Sequence, residues 1–256
     1  MSDRRRITRG IPRPAIALLA MAVLALAAAS VQAEKLPPGS VRVLPDRPAA
    51  PATLAWHASF DQPPAAQLQA YNVDIARGYR FDPRAVRETC TLAKARASSC
   101  PAASKIGGGS GQVTVFPPSG APQELSLGIK FFLTAPQRRH DLAGLVLAAH
   151  EPASGLTFNL IGRMVRLPRG RYGLELRFAD TAAELPSNIT VQLHRVNVRF
   201  GTQRSVTVGA GHNRRRVTYH LLTNPPTCGR HGWPFLLTVS YTTGTERYAA
   251  YGRCHH

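Results

Sequence analysis

The sequence predicts an all-β protein: a two-sheet antiparallel β-sandwich, jelly-roll or immunoglobulin-like, of roughly eight to eleven strands with only short helical turns. Three observations predict it. Apolar and polar residues alternate at period two in one segment after another, as half-buried strands require. Proline and glycine, 21 of each, punctuate the chain at short intervals. No apolar pattern supports a helix longer than about three turns, and no fixed-period repeat is present.

The N-terminus addresses compartment rather than fold. Arg4, Arg5, Arg6, Arg9 and Arg13 stand against the single acid Asp3, and an apolar run follows from Ala15 to Ala29. Ser30-Val31-Gln32-Ala33 then places small residues at the −3 and −1 positions of a cleavage site. Residues 1–33 therefore read as a secretory signal peptide. The apolar run is shorter than the ~20 residues of a spanning helix; a retained anchor is the alternative. Asp3 to Arg9 also loosely resembles a twin-arginine signal, so the export route stays open. No later stretch is apolar enough to span a bilayer. Residues 34–52 form a Pro-rich extended lead-in with at most one short edge strand at Val41–Leu44. Residues 53–256 suit a single β-sandwich domain large enough to bury its own core.

Within that domain, Leu54 to Phe60 is the first full strand. Tyr71, Val73 and Ile75 share one face of the next, which Gly78 ends. Asp82-Pro83 pairs an N-cap with a first-turn proline, so a short helical turn is expected. Ser99 is expected to cap a second turn begun by Cys100-Pro101. Gly107, Gly108, Gly109 and Gly111 then lead into a strand at Gln112–Phe116; without a phosphate-loop context they mark a bulged or closely approached strand start. Leu125 to Leu133 is the cleanest alternating set, spoiled only by Phe132 on its polar side. Leu142 to Ala149 is apolar on both faces. Leu156 to Leu160 and Leu174 to Phe178 alternate again. Between Ile189 and Phe200 the apolar residues switch from odd to even positions, so an irregularity is expected near His194-Arg195. Phe235 to Tyr241 and Tyr248 to Tyr251 form a closing hairpin around Thr242-Thr243-Gly244-Thr245.

Four cysteines in an exported chain suit an oxidising compartment. Of the three possible connectivities, the local pairs Cys90–Cys100 and Cys228–Cys254 are expected, each stabilising by roughly 2.5–3.5 kcal/mol in the chain-entropy treatment. Zinc is disfavoured because no C-x2-C pair is present. No metal site or cofactor is assigned, since the nine histidines, among them His212, His231, His255 and His256, follow no ligand spacing.

The formal charge is +18, of which the leader carries +4, and Arg outnumbers Lys 28 to 4. Such charge attracts polyanions through non-specific, salt-sensitive contacts. The candidate anion-binding residues are Arg163 and Arg166 with Arg169 and Arg171, then Arg195 and Arg199 on one strand face, then Arg214, Arg215 and Arg216. Aromatics are sparse among them, which argues against sequence-specific nucleic-acid binding. No G-x-S-x-G elbow occurs, and Asp141, Glu151, Asp180 and Glu184 all fall beside loops, so no catalytic residue is assigned. Nothing in the chain specifies an oligomeric state.

Phe81-Asp82-Pro83 before Cys90, the run Cys100 to Gly109, Asn224-Pro225-Pro226-Thr227-Cys228, Trp233, Tyr241 to Thr245 and Cys254 together carry a resemblance. The chain resembles uncharacterised exported proteins of actinobacterial type. That resemblance implies a disulfide-stapled all-β domain and transfers no activity. The expectation is a secreted or cell-envelope structural or binding module without catalysis, contacting anionic cell-wall polymer or another polyanion through an Arg-rich face. The alternative is a hydrolase on a β-sandwich scaffold.

Overall fold

A computed structural model describes residues 39–60, 66–179, 189–210 and 213–255. The expected signal peptide, Asp180, Glu184, His212 and His256 lie outside the described residues. The strands are β1 Gly39–Leu44, β2 Pro51–Ser59, β3 Leu68–Ala76, β4 Arg80–Phe81, β5 Lys105–Phe116, β6 Gln123–Thr134, β7 Asp141–His150 and β8 Thr157–Arg166. They continue with β9 Tyr172–Ala179, β10 Thr190–Phe200, β11 Gln203–Val208, β12 Arg215–His220, β13 Leu222–Thr223, β14 Trp233–Tyr241 and β15 Gly244–Gly252. One short helix, α1, spans Leu92–Arg96.

The fold is all-β and antiparallel. Its two layers are a single continuous sheet folded over itself, ordered β15-β14-β3-β9-β8-β7-β6-β5-β10-β2-β13-β4, with β1 on β2. β11 and β12 pair separately. Trp56 on β2 meets Phe235 on β14 edge-on at 6.2 Å, although their strands are far apart in the sheet. That contact places β2 and β10 opposite β3, β9 and β14. The rim nearly closes where β1 lies beside β15: a Cβ at Gly252 would stand 2.5 Å from Val43 Cγ2, so only glycine fits.

The period-two pattern does the packing. Leu127, Ile129, Phe131 and Leu133 on β6 all point into the core, as do Phe235, Leu237 and Val239 on β14, the last three fully buried. Side chains of this size contribute about 1.5–3 kcal/mol each on full burial. Val41 and Val43 are also buried, so the edge strand expected in the Pro-rich lead-in, paired with β2 alone, sends its inward face into the core.

Local expectations meet the structure in detail. Asp82 caps a 3-10 turn at Pro83–Ala85, accepting from the Arg84 amide at 3.0 Å. The register of β10 against β5 shifts between Leu193 and Arg195, where the apolar phase changes. Two expectations need correction. Ser99 does not start the turn at Ala102–Ser104. Its hydroxyl and amide both donate to the Lys94 carbonyl and close the C-terminus of α1, a local bond that competes successfully with the capping role. Ser104 Oγ instead donates to Pro101 O at 2.6 Å. The glycines are not an approach to β5 but part of it: Gly107 and Gly109 pair with Phe200 and Val198. A Cβ on Gly109 would fall 2.0 Å from Asn197 O, and one on Gly107 2.2 Å from Arg199 O, so the close approach of β10 demands glycine.

Cys90 is joined to Cys100 with Cα atoms 5.2 Å apart, and Cys228 to Cys254 at 5.7 Å. Cys90 sits in a small second core with Ala95, Phe132 and Val146. The stapled α1 segment thus covers the outer face of β6 and β7, which explains both the apolar Phe132 on a polar side and the two-faced burial of β7. Disulfides of this kind belong to oxidising compartments. Among the described residues no helix is long and apolar enough to cross a membrane.

Candidate functional site

The candidate site is a cationic groove on the outer face of the layer formed by β1, β2, β10, β5 and β6. Antiparallel register builds it. Arg42 on β1 stands opposite Ala55 on β2, and Ala55 opposite Arg199 on β10. Arg199 stands opposite Gly108 on β5, and Gly108 opposite Lys130 on β6. One row across five strands therefore alternates cation and small residue. Strands lie 4.7–4.9 Å apart, so the three cations recur at intervals of about 10 Å. Arg42, Arg199 and Lys130 are all exposed.

Gly107, Gly108 and Gly109 leave the middle of this row without side chains. The result is an open groove of about 940 Å³, lined by Lys105, Lys130, His150 and Arg199, by small or hydroxylated residues, and by the apolar Ile106, Ile129 and Phe132. Lys105 lies along its floor, with Cε 3.6 Å from where a Gly108 Cβ would be. No carboxylate lines the groove. None of Arg42, Lys105, Lys130 and Arg199 makes an ion pair among the described residues. Cations that are unpaired, aligned and flanked by hydrogen-bonding groups are equipped to hold a repeating anion. Nearby, burial and then the charge of Arg195 lower the pKa of His57 on β2, a further sign of one-signed charge on this face.

The outer face of the other layer is balanced instead. Arg163 pairs with Asp141 at 3.5 Å, and the same carboxylate accepts from the Arg138 amide at 2.9 Å. Arg177 Nε donates to Glu175 Oε1 at 3.1 Å. Asp74 on β3 stands directly opposite Glu175 on β9. Burial first, and Glu175 second, raise its pKa to about 6. The folded chain therefore binds the Asp74 proton more tightly than the unfolded one. Stability from this group falls as pH rises from about 4 to 6, and the ionised form remains unfavourable above that. Asp74→Asn should raise stability at pH 8 by about 1 kcal/mol, the carboxylate being half exposed and partly screened. Thermal melts between pH 4 and 8 should flatten relative to wild type; parallel curves would contradict the assignment.

The structure does not gather the sequence-derived arginines into one face. Arg195 and Arg199 do share the outer face of β10. Arg163 is engaged by Asp141, and Arg166 ends β8 beside the 167–171 turn. In that turn Arg171 donates to the Tyr251 hydroxyl at 2.8 Å. Arg215 and Arg216 pair with Val208 and Thr207 on the separate β11–β12 ribbon, and Arg214 precedes it. Arg42, Lys105 and Lys130 went unnoticed in sequence because they are isolated cations on three different strands. The one usable signal was that Lys105 opens, and Lys130 follows, the glycine-rich region. His231 stacks edge-on with Tyr251, and His255 lies 3.3 Å from Asp46. Among the described residues no three metal-ligating side chains converge.

Comparison with protein families, curated proteins and solved structures finds no match for the chain.

Proposed function

We propose that this chain is a secreted or cell-envelope binding module that holds an anionic polymer along the groove between Arg199 and Lys130. One observation carries the proposal: a row of cations at even spacing over a glycine floor, with no carboxylate partner, on one layer only. Counterion release from the polymer supplies the affinity, so binding is salt-sensitive and follows charge spacing rather than monomer identity. The proposal also takes residues 1–33 as the export signal and the two disulfides as fit for the compartment reached.

The hydrolase alternative has one observation on its side, the opposed carboxylates Asp74 and Glu175 with Asp74 titrating high. Glu175 is held by Arg177 with its side chain only 7% exposed, which leaves it poorly placed to meet a substrate.

Heparin chromatography separates site from bulk charge. Lys105→Ala/Lys130→Ala/Arg199→Ala and Arg214→Ala/Arg215→Ala/Arg216→Ala remove the same formal charge. The groove variant should elute at clearly lower salt than the ribbon variant, and the ribbon variant close to wild type. Equal elution of the two would show that net charge alone is responsible.

A further inference from the structure

We infer that the seam between β1 and β15 forms a second site, which takes a carboxylated ring of an acidic saccharide. β1 pairs in the sheet with β2 alone and β15 with β14 alone, yet the two lie side by side. Gly39 lies against Tyr248, and Val43 against Gly252, so the strands run in the same direction without forming a ladder. Beside the seam is a groove of about 560 Å³, within the ~300–1,000 Å³ of small-molecule sites. Ser40, Arg42 and Tyr251 line it with exposed side chains, so it opens on the outer face. Val41, Val43 and Ala250 also line it, although their side chains are buried in the core, so these three contribute backbone. Each strand has one edge with no ladder partner, and the N–H and C=O groups of those edges face the seam.

Three features select the occupant. The first is an aromatic platform. Leu44 and Tyr251, the large apolar side chains left exposed among the described residues, both line this groove. Tyr251 is held in place: Arg171 donates to its hydroxyl at 2.8 Å, and His231 meets its ring edge-on at 6.1 Å. It nevertheless stays 46% exposed. A ring already fixed loses little freedom when a ligand lands on it, and its face is electron-rich. The C–H face of a sugar ring fits such a platform, whereas a polyphosphate has no face to offer. The second feature is charge. Arg42 and Arg253 line the groove and make no ion pair among the described residues, while the Asp46 carboxylate lies 3.3 Å from His255 Nε2. Two free guanidinium forks match the planar carboxylate of a uronic acid. The third is a mixture of donors and acceptors. Ser40, Asp46 and the backbone edges supply both, as sugar hydroxyls require. Width excludes an extended peptide. A Cβ on Gly252 would stand 2.5 Å from Val43 Cγ2, so a strand, which needs about 4.7–4.9 Å on either side, does not enter between β1 and β15.

This site does not depend on the groove between Arg199 and Lys130, and the test keeps the two apart. The probe is trigalacturonic acid, titrated by calorimetry into wild type and into Lys105→Ala/Lys130→Ala/Arg199→Ala, which leaves Arg42 intact. Both proteins should bind it with the same affinity. Its trimethyl ester keeps the rings, loses the charges and should bind about tenfold more weakly. Arg42→Ala/Arg253→Ala, two exposed changes, should weaken the acid about tenfold as well. Tyr251→Leu keeps apolar bulk without the ring and should weaken the acid about tenfold, whereas Tyr251→Phe should bind as wild type does. Melting curves report that each variant folds. In wild type, saturation of aromatic protons should transfer to the ring C–H protons of the probe, and Tyr251→Leu should abolish that transfer. Tripolyphosphate at equal charge should not displace the probe. Absence of saturable binding in wild type would overturn the inference. So would loss of binding in the groove variant, which would assign the probe to the groove, displacement by tripolyphosphate, which would leave charge alone responsible, or unchanged affinity in Tyr251→Leu.

Discussion

Phe235→Ala should cost about 3–5 kcal/mol of folding stability, the range for truncating a buried aromatic ring. Phe235 is fully buried on β14, between β15 and β3. Its ring meets Trp56 from the opposite layer at 6.2 Å and Tyr79 at 5.8 Å, both edge-on. Removing it opens a void where the folded sheet touches itself, and flanking β strands cannot collapse into the gap without breaking register. For a domain of this size the melting temperature should fall by about 10 °C. Leu44→Ala is the matched control. Leu44 is 43% exposed at the end of β1, and its truncation should stay within about 0.5 kcal/mol. Comparable losses in the two variants would mean that the layers are not joined at Phe235.

Replacing Cys228 and Cys254 together by serine should cost about 3.5 kcal/mol, against about 2.7 kcal/mol for Cys90 with Cys100, because the closed loops differ in length. Their sequence separations are 26 and 10. The longer bridge also holds more native structure. Trp233 Nε1 donates to Thr227 O at 2.9 Å beside Cys228, and the His255 amide donates to Asp46 O at 2.8 Å beside Cys254. Together these contacts fasten the end of β15 to the β1–β2 connection, where the sheet nearly closes. Urea midpoints should drop in that order, with slopes that rise as each unfolded chain is released from its loop. A larger loss from the Cys90–Cys100 pair would show that its small second core, not loop length, dominates.

What could be read in the sequence follows from the range of the forces involved. Alternation is local, so the inward faces of β6, β10 and β14 were legible, as was the irregularity at Leu193–Arg195. Capping is local too, which made Asp82 readable. Ser99 was misread because two short-range partners compete for its hydroxyl and only the fold decides between them. Cross-strand register is not local. Arg42, Arg199 and Lys130 are separated by 157 and 69 positions in the chain, yet they fall in one row once β1, β2, β10, β5 and β6 pair. Clustering along the chain therefore favoured Arg214 to Arg216, which the fold sends to a separate ribbon. The folding of one sheet into two layers was equally hidden, since strand order depends on pairings between distant segments.

The salt dependence of polyanion binding tests the groove most directly. For a heparin fragment of defined length, the slope of log K against log salt counts the charges neutralised, at about 0.7 per contact for a single-stranded polyanion. If Lys105, Lys130 and Arg199 make those contacts, the variant lacking all three should show a slope shallower by about 2. A variant slope equal to that of wild type would contradict the groove as the binding site.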